Sequence, residues 1–132
     1  MKQEYGDSRP RGSRQGLGRT GERLAAERLM QTGYCILERN FRCRYGEIDL
    51  IAEHQLDLVF VEVKTRRGST HGLPEEAVDR RKQQKILQVA AYYLLLHKAS
   101  IEPAWRVDVV AVQLSSAGVL EDIRIYQHAF SE

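Results

Sequence analysis

The stretch GEIDLIAEHQLDLVFVEVKTR, residues 46–66, holds two runs of β-branched and large apolar residues separated by HQLD, which predicts an antiparallel hairpin. Three positions resist that reading, because Asp49, Glu62 and Lys64 stand where a sheet core is expected to be apolar. Burying an unpaired ion costs several kcal/mol or forces it to neutralise. Opposed residue numbers in an antiparallel pair share a constant sum, and setting Asp49 beside Glu62 centres the reversal between Gln55 and Leu56. His54, Gln55, Leu56 and Asp57 then form a four-residue loop. Ala52 faces Val59, Ile51 faces Phe60, Leu50 faces Val61, and Glu47 faces Lys64. By alternation Asp49, Ile51, Phe60, Glu62 and Lys64 share one face, and Ile48, Leu50, Val59, Val61 and Val63 share the other.

Two adjacent carboxylates repel, and the remedies are a shared proton, a basic partner or a divalent cation. A purely structural solution has Lys64 and nearby arginines neutralising the pair within the sheet. The functional solution has Asp49 and Glu62 holding Mg2+ or Mn2+, which take hard oxygen ligands and need only one or two carboxylates. Lys64, about 6.6 Å along the strand from Glu62, would then orient or help deprotonate an attacking water, or stabilise charge developing on a phosphate. That is the equipment for phosphodiester hydrolysis. Glu47 is an alternative ligand or the ion-pair partner of Lys64, and the ion pair is the expectation.

The rest of the chain frames this hairpin. Its 132 residues suit one domain, and 42% hydrophobic with 29% charged residues excludes a disordered chain. Residues 1–16 are polar and rich in Gly, Ser and Arg, which predicts a flexible basic arm; a single domain is expected over 17–132. Leu17, Leu24, Ala25 and Leu29 recur at helical spacing over 17–32, and Gly33 supplies a stop. A strand is expected over 34–44 and a long helix over 75–98, with Glu75 and Glu76 in its first turn. Strands over 105–114 and 120–130 complete the order αβββαββ, an α/β architecture with helices packed on a sheet. No window is apolar enough to span a membrane and no secretory stretch opens the chain, so the cytoplasm is expected. Cys35 and Cys43 lack metal-site spacing and read as free thiols. Asp108, alone in the apolar RVDVVAV (106–112), needs a partner, and Arg106 is the expected one. Tyr92, Tyr93 and Trp105 read as core or edge aromatics, not as base-stacking platforms.

The net charge of +2 is too small to imply a nucleic-acid partner, but the cations are clustered. Arg39, Arg42 and Arg44 precede the hairpin's acids; Arg66, Arg67, Arg80, Arg81, Lys82 and Lys85 follow them. Arg44, Arg66, Arg67, Arg81, Lys82 and Lys85 are candidates for phosphate contact. Lys82 shares a helical stripe with Val78, Ile86 and Val89, so phosphate contact and snorkelling at the core's edge are both open to it.

Asp49, twelve residues, then Glu62-Val63-Lys64 resembles the PD-(D/E)xK motif of the restriction-endonuclease-like nuclease superfamily, and the αβββαβ order, a mixed central sheet flanked by helices, is similar to its core. More specific is the set GERLAAERL, GYCILERNFRCRYGEIDLIA, LVFVEVKTR, EEAVDRRKQQKI, AAYYL and RVDVVAV, which resembles the YraN family of small bacterial proteins over about residues 18–112. That family is similar to archaeal Holliday-junction resolvases. The resemblance implies Asp49 and Glu62 as ligands of Mg2+ or Mn2+, Lys64 as the catalytic lysine, and Glu22 as a further acid completing the site. Ile48 replaces the motif's proline. The implied activity is a metal-dependent DNA endonuclease, structure-selective toward branched or junction DNA and able to work as a homodimer. A non-catalytic nucleic-acid-binding accessory protein with the same fold is the alternative.

Overall fold

The computed structural model describes residues 13–68, 78–97 and 104–130. Helix α1 (Ser13–Gln31) is followed by strands β1 (Cys35–Cys43), β2 (Gly46–His54) and β3 (Asp57–Arg67), helix α2 (Arg80–Leu96), and strands β4 (Trp105–Leu114) and β5 (Leu120–Phe130). The five strands form one mixed sheet in sequence order: β3 and β4 run parallel and every other neighbouring pair is antiparallel. A parallel pair needs a long crossover, and the chain between β3 and β4 includes α2.

Each face of the sheet carries its own apolar cluster. On one, Ala25, Ala26 and Leu29 of α1 meet Leu50, Val59, Val61, Val110 and Val112. On the other, Ile86, Val89, Ala90 and Tyr93 of α2 meet Ile48, Ile51, Phe60, Val107 and Val109. A central strand covered on both faces has no solvent side, which is why β3 reads as a near-continuous apolar run through Leu58-Val59-Phe60-Val61. Helix α1 stops where Gly33 takes φ 97°; Gly33 N–H donates to Met30 O at 3.3 Å and Tyr34 N–H to Leu29 O at 2.9 Å, a Schellman closure.

Several expectations are corrected. Helix α1 begins at Ser13, inside the stretch expected to be an arm; the rest of that stretch, residues 1–12, lies outside the described residues. Helix α2 begins at Arg80 rather than near Glu75: Asp79 is extended (φ −74°, ψ 175°) and its side chain accepts from Lys82 N–H at 2.9 Å, a capping bond that fixes the start. Glu75 and Glu76 lie outside the described residues. The hairpin register is as expected from Leu50↔Val61 to Ala52↔Val59, but His54 pairs with Asp57 and only Gln55 and Leu56 form the loop. Both take positive φ, 51° and 74°, the type I′ geometry whose twist matches the strands and here outweighs the steric cost at non-glycine residues. Finally, Ile48 packs with the α2-side cluster and Leu50 with the α1-side cluster. Strict alternation would put both on one face, so β2 turns about Asp49.

Candidate functional site

That turn builds the site. The β2–β3 ladder ends at Leu50↔Val61, and the β1–β2 register passes from Arg39↔Leu50 to Phe41↔Ile48 with Asn40 at φ 55° opposite Asp49. Past the end of the ladder Val63 N–H donates to the Asp49 carboxylate, Oδ2, at 2.8 Å. The Asp49 side chain thus takes over as acceptor where strand pairing stops, which locks it at the open end of the hairpin. Glu47 does not face Lys64; it pairs with Arg42 across the β1–β2 ladder, Oε1 to Nε 3.3 Å. Lys64 is half-buried, two residues beyond Glu62 on the same side of β3.

Three carboxylates converge there. One oxygen each of Glu22, Glu47 and Asp49 lies within 4.8 Å of the others, all on half-buried side chains. Glu22 comes from α1, the other two from β2. Helix α1 reaches the site because Gly21 has no side chain: a Cβ there would overlap Thr65 Oγ1 and fall 2.9 Å from Thr65 Cβ. Burial, then the charge of Glu62, pushes the Asp49 carboxyl well above its ordinary value, against the lowering bond from Val63 N–H. Burial and Glu47 raise Glu22 in the same direction, while hydrogen bonds from Asp49 and Asn40 act against them. Burial among like charges thus pushes both carboxyls, Asp49 and Glu22, toward the neutral form.

Glu62, only 5% exposed, belongs to the same acidic corner but is not one of the three. Its Oε2 is held at 2.8 Å by Lys82 Nζ from the first turn of α2. Burial works to lower the Lys82 pKa, but the hydrogen bond and charge of Glu62 outweigh it, so the ammonium is raised and stays charged. Of the two roles open to Lys82 in the sequence, the structure gives it a third, counter-ion to Glu62. Four carboxylates (Glu22, Glu47, Asp49, Glu62) thus face two paired cations, Arg42 and Lys82.

Beside this corner, Glu47, Asp79, Arg81, Lys82, Lys85 and Ile86 line a groove of about 400 Å3 between the β1–β2 turn and the start of α2. Of the six candidate phosphate contacts, Arg81, Lys82 and Lys85 are therefore together at the acids, and Arg44 stands at the adjoining hairpin tip. Arg66 and Arg67 end β3, where Arg67 Nε donates to Ser116 O at 3.2 Å in the β4–β5 turn. Asp108 has a separate role. Fully buried, it accepts from Arg106 Nε at 2.9 Å, from Tyr34 OH at 2.8 Å and from His128 N–H at 3.1 Å, as expected of a structural partner of Arg106. Residue pattern alone did not single out Asn40 or Gly21; the one detectable signal was Gly21 immediately before Glu22.

Fold and site together define a mixed α/β protein whose five-stranded sheet carries a carboxylate cluster at the open end of a hairpin, next to a basic groove. A family model described as "Uncharacterised protein family UPF0102" matches residues 21–112. The chain is 43% identical over 114 residues to a UPF0102 protein of Caldicellulosiruptor bescii, covering 86% of this chain and 96% of that one. It is 45% identical over 116 residues to a UPF0102 protein of Caldanaerobacter subterraneus subsp. tengcongensis, covering 86% and 93%. A UPF0102 protein of Syntrophus aciditrophicus is 48% identical over 101 residues, 76% and 79% of the two chains. The chain belongs to UPF0102, the YraN family its motifs resemble. No helix among the described residues is long and apolar enough to cross a membrane.

Proposed function

We propose that this protein is a metal-dependent DNA endonuclease of the PD-(D/E)xK type, acting on branched or junction DNA in the cytoplasm. The observation that carries the proposal is the convergence of Glu22, Glu47 and Asp49 within 4.8 Å beside a groove lined by Arg81, Lys82 and Lys85. The donor set fits Mg2+ or Mn2+: all ligands are hard oxygens, and ligand oxygens around one Mg2+ lie at most about 4.2 Å apart, so small side-chain rotations suffice. Bound there, the ion would supply Lewis acidity at the phosphate and an acidified water. Asp49, positioned by Val63 N–H, would hold the ion together with Glu22 and Glu47. Glu62 would be available as a further ligand if Lys82 released it. Lys64 stands along β3 to orient the attacking water or stabilise phosphate charge, and Lys82 and Lys85 receive the backbone phosphates.

The Lys82–Glu62 ion pair favours a second reading, a nucleic-acid-binding accessory protein in which an ammonium occupies one of the motif's acids for good. Incubating the protein with linear, flapped, single-stranded and four-way DNA in Mn2+ separates the two. Cleavage that Glu62→Ala and Lys64→Ala abolish, with DNA affinity retained in Lys64→Ala, supports the endonuclease. Binding without cleavage on every substrate supports the accessory protein.

A further inference from the structure

Beyond the groove, the turn joining β1 to β2 carries Arg44 and Tyr45, large side chains where two-residue hairpins ordinarily place Asn, Asp or Gly. Gly46, at φ 145°, takes the unusual backbone conformation and leaves both large residues in ordinary ones. The Tyr45 ring meets Tyr92 of α2 at 5.7 Å between centroids and 63° between planes. Arg44 lies over Tyr45, its guanidinium carbon 5.1 Å from the ring centre, and donates to Tyr45 OH at 3.2 Å. Aromatic pairs that serve packing in this protein, such as Phe60 against Tyr93, are in the core. Tyr45 and Tyr92 instead remain 37% and 36% exposed.

Their position relates them to the groove. Gly46, next to Tyr45, lines it, and Tyr92 lies seven residues beyond Lys85, hence on the same side of α2 and about 10 Å further along. That distance is about three stacked nucleotides. We propose that the Tyr45–Tyr92 pair, with Arg44, is a stacking platform for an unpaired base of the DNA strand whose phosphates lie along Lys82 and Lys85. Bases in a duplex are stacked on their neighbours and present no face to such a platform, whereas a strand at a branch or flap presents one. The platform deepens the endonuclease proposal, resting only on its premise that DNA is the ligand, and gives the groove a preference for non-duplex strands.

The test is fluorescence anisotropy in Ca2+ with a labelled 12-nucleotide single strand, the same strand with abasic sites, and a 12-base-pair duplex. Wild type should bind the intact single strand about five- to a hundredfold more tightly than the abasic one. Tyr45→Ala, its fold checked by circular dichroism, should lose that margin and the quenching of a 2-aminopurine base, with duplex affinity within about twofold of wild type; Tyr45→Phe should behave as wild type. Equal affinity of wild type for intact and abasic strands would overturn the platform while leaving the endonuclease proposal standing, as would an unchanged Tyr45→Ala. Failure of wild type to bind any of the three DNAs would overturn both.

Discussion

Asp49 is asked to accept a backbone hydrogen bond and to sit among three other carboxylates, and only the first role stabilises the fold. Asparagine keeps an acceptor oxygen for Val63 N–H and removes the charge. Asp49→Asn should therefore raise the melting temperature of the metal-free protein by about 2–6 °C, for roughly 1 kcal/mol of relieved repulsion. The same change should abolish stabilisation by Mn2+, which wild type should show in a thermal scan. A variant that melts lower yet gains as much from Mn2+ as wild type would mean that the carboxylate is neither strained nor a ligand. Of the three remedies for crowded acids, basic partners hold Glu47 and Glu62, while burial among like charges raises the Asp49 and Glu22 carboxyls, the direction that favours holding a proton. Asp49, Glu62 and Lys64 were legible from spacing alone, because a charged residue in an apolar strand is conspicuous. Glu47 was legible only as an alternative ligand, with an ion pair to Lys64 expected instead, because its place depends on β2 turning at Asp49, which alternation cannot foresee.

Among the elements, α1 decides whether the site has three acids or two. Its helix was readable from the recurrence of Leu24, Ala25 and Leu29, but its depth against β3 was not, since that depends on the contact of Gly21 with Thr65. Gly21→Ala pits two effects against each other: alanine favours the helix by about 1 kcal/mol, while forcing a methyl against the anchored Thr65 Cβ costs about 1–3 kcal/mol. The overlap is with atoms close to the strand backbone, so rotation of Thr65 relieves only part of it. The variant should be less stable in urea, and Thr65→Ala added to it should recover part of the loss; it should also bind Mn2+ more weakly by calorimetry, because Glu22 moves with the helix. Normal stability and normal Mn2+ binding would show that α1 has room to spare. The misplaced start of α2 has a similar origin. Glu75 and Glu76 carry the sign favoured at a helix start, but Asp79, three residues before Lys82, makes the capping bond.

Across the whole molecule the sheet has two polar ends of opposite character. At the acidic end, among the described residues, four carboxylates meet the paired cations Arg42 and Lys82. At the hairpin-turn end, Arg106, its side chain 4% exposed, joins Asp57 at 2.7 Å, Asp108 at 2.9 Å and His54 Nδ1 at 2.8 Å, while Tyr34 stacks on His54. Every strand except β1, and the residue that closes α1, contributes to this network, so it fixes the frame on which the acids are held about 16 Å away along β3. Asp108→Leu leaves the guanidinium with one carboxylate fewer and should cost about 3–5 kcal/mol in urea unfolding; replacing Arg106 and Asp108 together by leucine should cost less than the single change. Alkali probes the same network through Tyr34, whose pKa is raised above its ordinary 10.0 by burial and by its bond to Asp108. Because the folded value is the higher one, Tyr34 stabilises fully below about pH 10, and that contribution disappears as the pH climbs through the folded-state value. Wild type should therefore lose stability above pH 10 more steeply than Tyr34→Phe, which has no proton to release; parallel pH profiles would mean that the hydroxyl is not held by Asp108 in solution.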